Sequence, residues 1–178
     1  FIPDELQNSL DGIRNQVNDK LDSSNPFGVG SFSMNRKSGT TVGNRSSTLG
    51  YNATASGDFS HAEGESTTAS GEHSHAEGRN TTASANRSHA EGGYTAATNY
   101  NSHAEGYRTF AAGDSSHAEG NGTVASGYYS HAEGFETVAK HKSAHVCGEY
   151  NVADPAKTNV NQRGTYIIIV GNGTGINN

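Results

Sequence analysis

The sequence predicts an all-β solenoid, a parallel β-roll built from 14-residue coils, and three observations carry that prediction. The pentapeptide SHAEG occurs at 60–64, 74–78, 88–92, 102–106, 116–120 and 130–134, each start fourteen residues after the last. A looser segment recurs half a period away, at 67–71, 81–85, 95–99, 109–113, 123–127 and 137–141. Leu, Ile, Val and Phe together make only 25 of the 178 residues. That is below the roughly 20% at which a chain is expected to fail to bury a core, so a regularity must replace the missing interior.

The repeating unit reads SHAEG-xx-TxASG-xx, two short segments joined by two-residue connections. It is too short for a pair of helices and suits two strands, each closed by a tight turn. Gly recurs at 50, 64, 78, 92, 106, 120, 134 and 148, where a chain turning between stacked strands needs positive φ or close backbone approach. Side chains alternate across a strand, so His and Glu of SHAEG share one face and Ala62, Ala76, Ala90, Ala104, Ala118 and Ala132 take the other. The second segment supplies Ala69, Ala83, Ala97, Ala111, Ala125 and Ala139. Both Ala columns are expected inside, filling a roll too narrow for anything larger. Ser60 and its equivalents are expected to hydrogen-bond at the turn. The degenerate copies SSTLG (46–50) and AHVCG (144–148) extend the register, giving about eight coils and a height of about 38 Å at about 4.8 Å each.

Three regions follow: a coiled-coil neck over 1–25, a β-roll head over 26–148, and a cap or lead-in to a further domain over 149–178. In the neck, Leu6, Leu10, Ile13 and Val17 are spaced as a heptad seam, with Asp4 as the expected cap and Asn25-Pro26 and Gly28 ending the helix. Beyond 148 the period is lost, and a strand is expected over Thr165–Val170. An Ala-filled roll buries little apolar area, worth roughly 25 cal/mol per Å², so association of several chains is expected.

Composition narrows the function. A single cysteine, Cys147, excludes an intrachain disulfide framework and a multi-thiolate metal site. The apolar runs are strand-sized, so no membrane insertion is expected. With 12 Lys and Arg against 18 Asp and Glu there is no basic patch, and nucleic acid is not an expected partner. The H-x-E strings lack the P-C-x-x-C that a zinc deaminase requires. Adjacent Ser and His point to opposite faces of a strand and form no triad. No enzyme activity, cofactor or metal is assigned, although an ion shared by imidazoles of several chains is chemically reasonable.

On the outer face, His61, His75, His89, His103, His117 and His131 form one column. Glu63, Glu77, Glu91, Glu105, Glu119 and Glu133 form the next. Their identity over six rungs is expected to reflect an intersubunit His–Glu ladder, joined by hydrogen bonds or ion pairs. Acid is expected to protonate it and alter the stability of the assembly. The variable turn positions are the candidates for surface recognition: Phe59, Arg87, Tyr94, Tyr100, Tyr107, Arg108, Tyr128, Tyr129 and Phe135. Exposed aromatics and Arg are the usual anchors of recognition.

A short heptad followed by units of the form S-x-A-x-G…T-x-A-x-G resembles the YadA-like head repeat of trimeric autotransporter adhesins. The resemblance covers roughly 38–148 and implies a left-handed parallel β-roll, three chains side by side on a coiled-coil stalk. The chemical departure is His and Glu where the family's usual unit has Val and Ile. That SHAEG variant is similar to repeats in phage tail and appendage proteins, and the stretch YNVADPAKTN…GTYIIIVGNGTGINN resembles the lead-in to an autoprocessing intramolecular-chaperone domain. The resemblance therefore implies a homotrimeric, adhesive fibre head on a virion tail or appendage, contacting a glycan or protein receptor on a bacterial surface. The alternative is a bacterial cell-surface adhesin of the trimeric autotransporter type, binding host matrix.

Overall fold

The computed structural model describes residues 3, 5–11, 30–151 and 168–172. It is a parallel β-solenoid with one short helix. Each coil contributes a five-residue strand, such as His103–Tyr107, and a two-residue strand, such as Phe110–Ala111. The five-residue strands stack into one parallel sheet and the two-residue strands into another. The nine-residue strand Ser47–Ala55 belongs to both, pairing Thr48 with Ala62 at one end and Thr54 with Thr68 at the other. Like residues pair with like: His103 with His117, Ala104 with Ala118, Glu105 with Glu119, Gly106 with Gly120.

The two Ala columns point inward and are fully buried. The interior is nevertheless wider than an Ala-only roll. Thr67, Thr81, Thr95, Thr109, Thr123 and Thr137 are buried beside them, as are Ser60 and its equivalents. The expectation that nothing larger than Ala fits inside is therefore corrected. The residue opening the short segment lies just after the turn, and its side chain enters the space that the next Ala leaves open. Ser60, Ser74, Ser116 and Ser130 donate to the carbonyl three residues back at 2.6–2.7 Å. The hydroxyls of Thr67, Thr81, Thr95, Thr109 and Thr123 have no hydrogen-bond partner, so these side chains serve by volume.

Two features set the coil's shape. From Gly64 to Gly134 the glycine ending SHAEG has φ between 98° and 106°. A Cβ on any of them would stand 2.0–2.2 Å from the carbonyl oxygen of the next coil's glycine. No side chain fits. At the turns, by contrast, non-glycine residues take the left-handed conformation, among them Phe59, His73, Arg87 and Tyr129 on one edge and Tyr94 and Arg108 on the other, with φ between 56° and 60°. Each such residue costs about 1 kcal/mol. The conformation turns its N–H along the stack to a carbonyl of the preceding coil: Arg87 to Glu72 at 2.8 Å, Tyr94 to Arg79 at 2.9 Å, Arg108 to Gly93 at 2.8 Å. A buried or half-buried amide left unpaired would cost as much or more.

Both ends of the stack are covered by strands outside the repeat. Phe32–Arg36 pairs with Ser47–Ala55. Ile168–Asn172 lies parallel on His145–Glu149, placing Ile169 beside Val146 and against the core. The last pairing joins His145 to Ile168 rather than to a residue fourteen further on. Residues 5–11 are helical, with Leu6 and Leu10 exposed at 54% and 43%. Ile13 and Val17, the Asp4 cap, the Asn25-Pro26 and Gly28 stop, and residues 165–167 of the expected terminal strand lie outside the described residues.

Two outcomes are expected in chemical denaturation. Gly106→Ala should lower stability by at least about 2 kcal/mol through strain and overlap, whereas Gly39→Ala, whose added Cβ meets nothing within 4 Å, should cost about 1 kcal/mol. Equal effects would show that the close approach does not set the coil spacing. Thr109→Val keeps the shape and removes an unpaired buried hydroxyl, so it should be neutral or stabilising by about 1 kcal/mol; a loss of that size would mean the hydroxyl has a partner.

Candidate functional site

The outer face of the five-residue strands holds both titratable columns. Parallel register sets each imidazole over the next, with ring centroids 4.6–4.9 Å apart from His61 to His145. Between His75 and His131 the rings are stacked, with interplanar angles of 3–16°. At the two ends the angle opens to 64° and 43°. The Glu column runs alongside. Early rungs pair within the rung, His61 with Glu63 at 3.3 Å and His89 with Glu91 at 3.6 Å. Later rungs pair with the rung below, His117 with Glu105 at 3.4 Å and His131 with Glu119 at 3.6 Å. Ser47 Oγ and His61 Nδ1 are hydrogen-bonded at the start of the column. These side chains are about one-third exposed in the single chain.

Stacking like on like shapes the protonation of both columns. Burial, followed by repulsion from neighbouring imidazoles, holds His75, His103 and His117 below the usual histidine value, so neutral rings are favoured. The carboxyls divide. A hydrogen bond from His61 lowers Glu63, and hydrogen bonds with Glu105 lower Glu91 and Glu119. Burial raises Glu77, and the hydrogen bonds Glu105 shares with Glu119 and then Glu91, followed by burial, push it up to about 7. Carboxyls one strand spacing apart cannot all ionise, and the column answers by sharing protons between neighbours. Beside them runs an open groove lined by Glu91, Glu105, Glu119 and Glu133 and by Gly106, Gly120, Gly134 and Gly148.

Among the described residues, the groups able to hold a metal ion are on this face: His–Glu–His sets from successive rungs, and Glu133 with His145 and Cys147 at the last coil. Cys147 stands where earlier rungs carry Glu, a join that sequence reading missed although the register, AHVCG under SHAEG, contains it.

The turn candidates divide between two opposite edges. Phe59, Arg87, Tyr100, Tyr128 and Tyr129 lie on one; Tyr94, Tyr107, Arg108 and Phe135 lie on the other. Tyr128 and Phe135 are half-buried and the remaining seven are exposed. On the first edge Phe59 stacks on His73 at 4.9 Å, and Arg87 Nε donates to Asn101 Oδ1 at 2.9 Å. On the second, Tyr94 and Tyr107 meet edge to face at 5.7 Å. Arg79 lies 5.7 Å from the centre of the Tyr94 ring and Arg108 lies 5.1 Å from that of Tyr107. Gly93, between Arg79 and Tyr107 in its column, leaves room for the Tyr107 ring to lean over it, 3.1 Å from where a Cβ would stand. Arg79 was missed from sequence, although it shares the column of Tyr107, and that place is the signal. Phe110, exposed on the two-residue strand face, was missed likewise.

Among the described residues no helix is long and apolar enough to cross a membrane. The model of the YadA head domain repeat matches residues 42–60, 62–84 and 104–130, in two copies. No curated protein matches the chain.

The lowered imidazoles and the raised Glu105 give opposite pH dependences. Folded His75, His103 and His117 titrate below the usual 6.5, so their contribution is present above about pH 6.5 and is lost as pH falls through the folded values. Glu105, raised from 4.5 to about 7, keeps its proton in the folded chain up to about that pH. Its contribution is full below about pH 4.5 and is lost as pH rises through about 7. Denaturation midpoints measured from about pH 5 to about pH 8.5 should show Glu105→Gln gaining on the parent as pH rises to about 7 and holding that gain above it, and His103→Gln flattening the acid side. A Glu105→Gln profile parallel to the parent throughout would refute proton sharing in the column.

Proposed function

The chain carries YadA head domain repeats, and on that premise we propose that it forms the head of a trimeric, non-enzymatic, adhesive surface fibre. The observation that carries this reading is the repeat match on a parallel β-solenoid whose interior is Ala, Thr and Ser. Such a roll buries little per coil, and a half-buried polar face repeated rung after rung suits a subunit boundary. In this reading three left-handed rolls of fourteen-residue coils stand side by side. Their His61–Glu133 faces turn toward neighbouring subunits, and Leu6, Leu10, Ile13 and Val17 close the neck below them. The edges are then left to the outside. Tyr94, Tyr107 and Arg108, with Arg79, offer flat rings and guanidinium groups suited to stacking on sugar rings and bonding their hydroxyls.

The carrier we favour is a phage tail or appendage contacting a glycan or protein on a bacterial surface, because His and Glu replace the family's usual Val and Ile in the SHAEG form. A cell-surface adhesin of the autotransporter type is the second reading, favoured by the head-repeat match itself. A membrane-anchoring β-barrel encoded downstream would decide for the second.

Light scattering should give the mass of three chains; a stable monomer would remove the ladder from any interface. In a binding screen of bacterial cells and purified surface glycans, replacing Tyr94, Tyr107 and Arg108 together by Ala should weaken capture by about tenfold or more. Unchanged capture would move recognition off this edge.

A further inference from the structure

Each rung of the His–Glu face presents an imidazole and a carboxylate two residues apart, and the parallel register places the next rung's imidazole one strand spacing away. As a result, ligand atoms of His89, Glu91 and His103 lie within 4.8 Å of one another. The same holds for His61, Glu63 and His75, and for His117, Glu119 and His131. The Nε2 atoms of His75, His89, His103, His117 and His131 are shielded from water and make no hydrogen bond. They are donor atoms already desolvated, and those of His75, His89, His117 and His131 lie 3.4–4.0 Å from a carboxylate oxygen. At the last coil the pattern changes to Glu133, His145 and Cys147, again within 4.8 Å, and the His145 ring is tilted 43° out of the stack.

We propose that this face is a linear binding site for borderline divalent transition-metal ions of the zinc class, each ion held by His, Glu and His from two successive rungs, with a further ion held by Glu133, His145 and Cys147. The donor set selects the metal. Two imidazole nitrogens and one carboxylate, or imidazole, carboxylate and thiolate, suit zinc, cobalt or nickel and not the all-oxygen demands of magnesium or calcium. Bonds of about 2.0–2.1 Å bring ligand atoms to about 3.3 Å from one another, so each set closes by rotation of partly exposed side chains while the strand ladder holds the backbone. A divalent ion also relieves the repulsion of carboxylates stacked one strand spacing apart.

Stoichiometry follows from shared ligands. His103, Glu105 and His117 are equally close, but both imidazoles belong to the sets on either side, and one nitrogen lone pair serves one ion. Filling therefore alternates along the stack, to about three His–Glu–His ions and about one thiolate-bound ion per chain. This rests on the geometry within one chain and is independent of the proposed trimer.

The test is titration of the whole chain, in whatever assembly it forms, after chelator stripping, with Zn²⁺ by calorimetry and with Co²⁺ by absorption. About four ions per chain are expected, together with a near-ultraviolet thiolate-to-cobalt band and a raised melting temperature. The double variant His89→Gln, His117→Gln should lose about two ions and keep the band, and Cys147→Ser should lose the band and about one ion. Both changes are on the outer face, and circular dichroism reports whether the solenoid persists. Fewer than about one ion per chain, an unchanged stoichiometry in the folded double variant, or displacement by Mg²⁺ at comparable concentration would overturn the proposal. Light scattering on the same samples separates this from the fibre reading: a monomer that binds the ions overturns the trimer alone, and a trimer that binds none overturns the metal site alone.

Discussion

The carbonyl oxygen of Gly120 lies 2.2 Å from the point where a Cβ on Gly106 would stand, and that approach, repeated from coil to coil, is what the remainder of the molecule depends on. It allows the backbone of one coil to lie directly on the next at strand spacing. Every other group is then forced into a column with its own kind. A side chain at this position would lift one coil off its neighbour and break the ladder that carries nearly all the backbone hydrogen bonding. The left-handed turn residues serve the same end at the edges, since their amides bond along the stack as the strands do.

Columns of identical residues are harmless for Ala and demanding for His and Glu. Apolar columns simply add contact, which lets a roll filled with Ala, Thr and Ser persist without Leu. Titratable columns place equal charges one strand spacing apart, and the molecule relieves this by neutral stacked imidazoles, by His–Glu contacts and by protons shared between successive carboxyls. The face that results is polar, half-buried and poor in net charge for its composition. Those are properties of a surface suited either to a neighbouring subunit or to a bound cation.

Division of labour between faces and edges follows. The faces are dictated by packing and register, and the same letters recur in them. The edges need only a left-handed turn residue whose N–H points along the stack. Phe, His, Arg, Tyr, Asn and Ser all fill that role, so the edges carry the chemical variety that recognition requires.

Much of this was legible in the letters. The spacing of SHAEG, the inward Ala columns, the shared face of His and Glu and the special place of Gly64 to Gly134 all follow from a two-residue strand period on a fixed repeat, which is local information. Other features depend on what lies one coil away or on the direction in which a turn sends its side chain. Thr109 enters the core because the turn before it aims it there. Tyr94 and Tyr100 part to opposite edges because a short strand and its turn intervene. Glu105 holds its proton because Glu91 and Glu119 stand on either side of it, and Cys147 meets Glu133 and His145 only through the stack. The sequence by itself determined the repeat and which residues face in or out, because alternation along a strand is a property of the chain. The tertiary structure alone decided protonation, the grouping of ligands and the two edges, because these are set by neighbours that only stacking brings within a few ångströms.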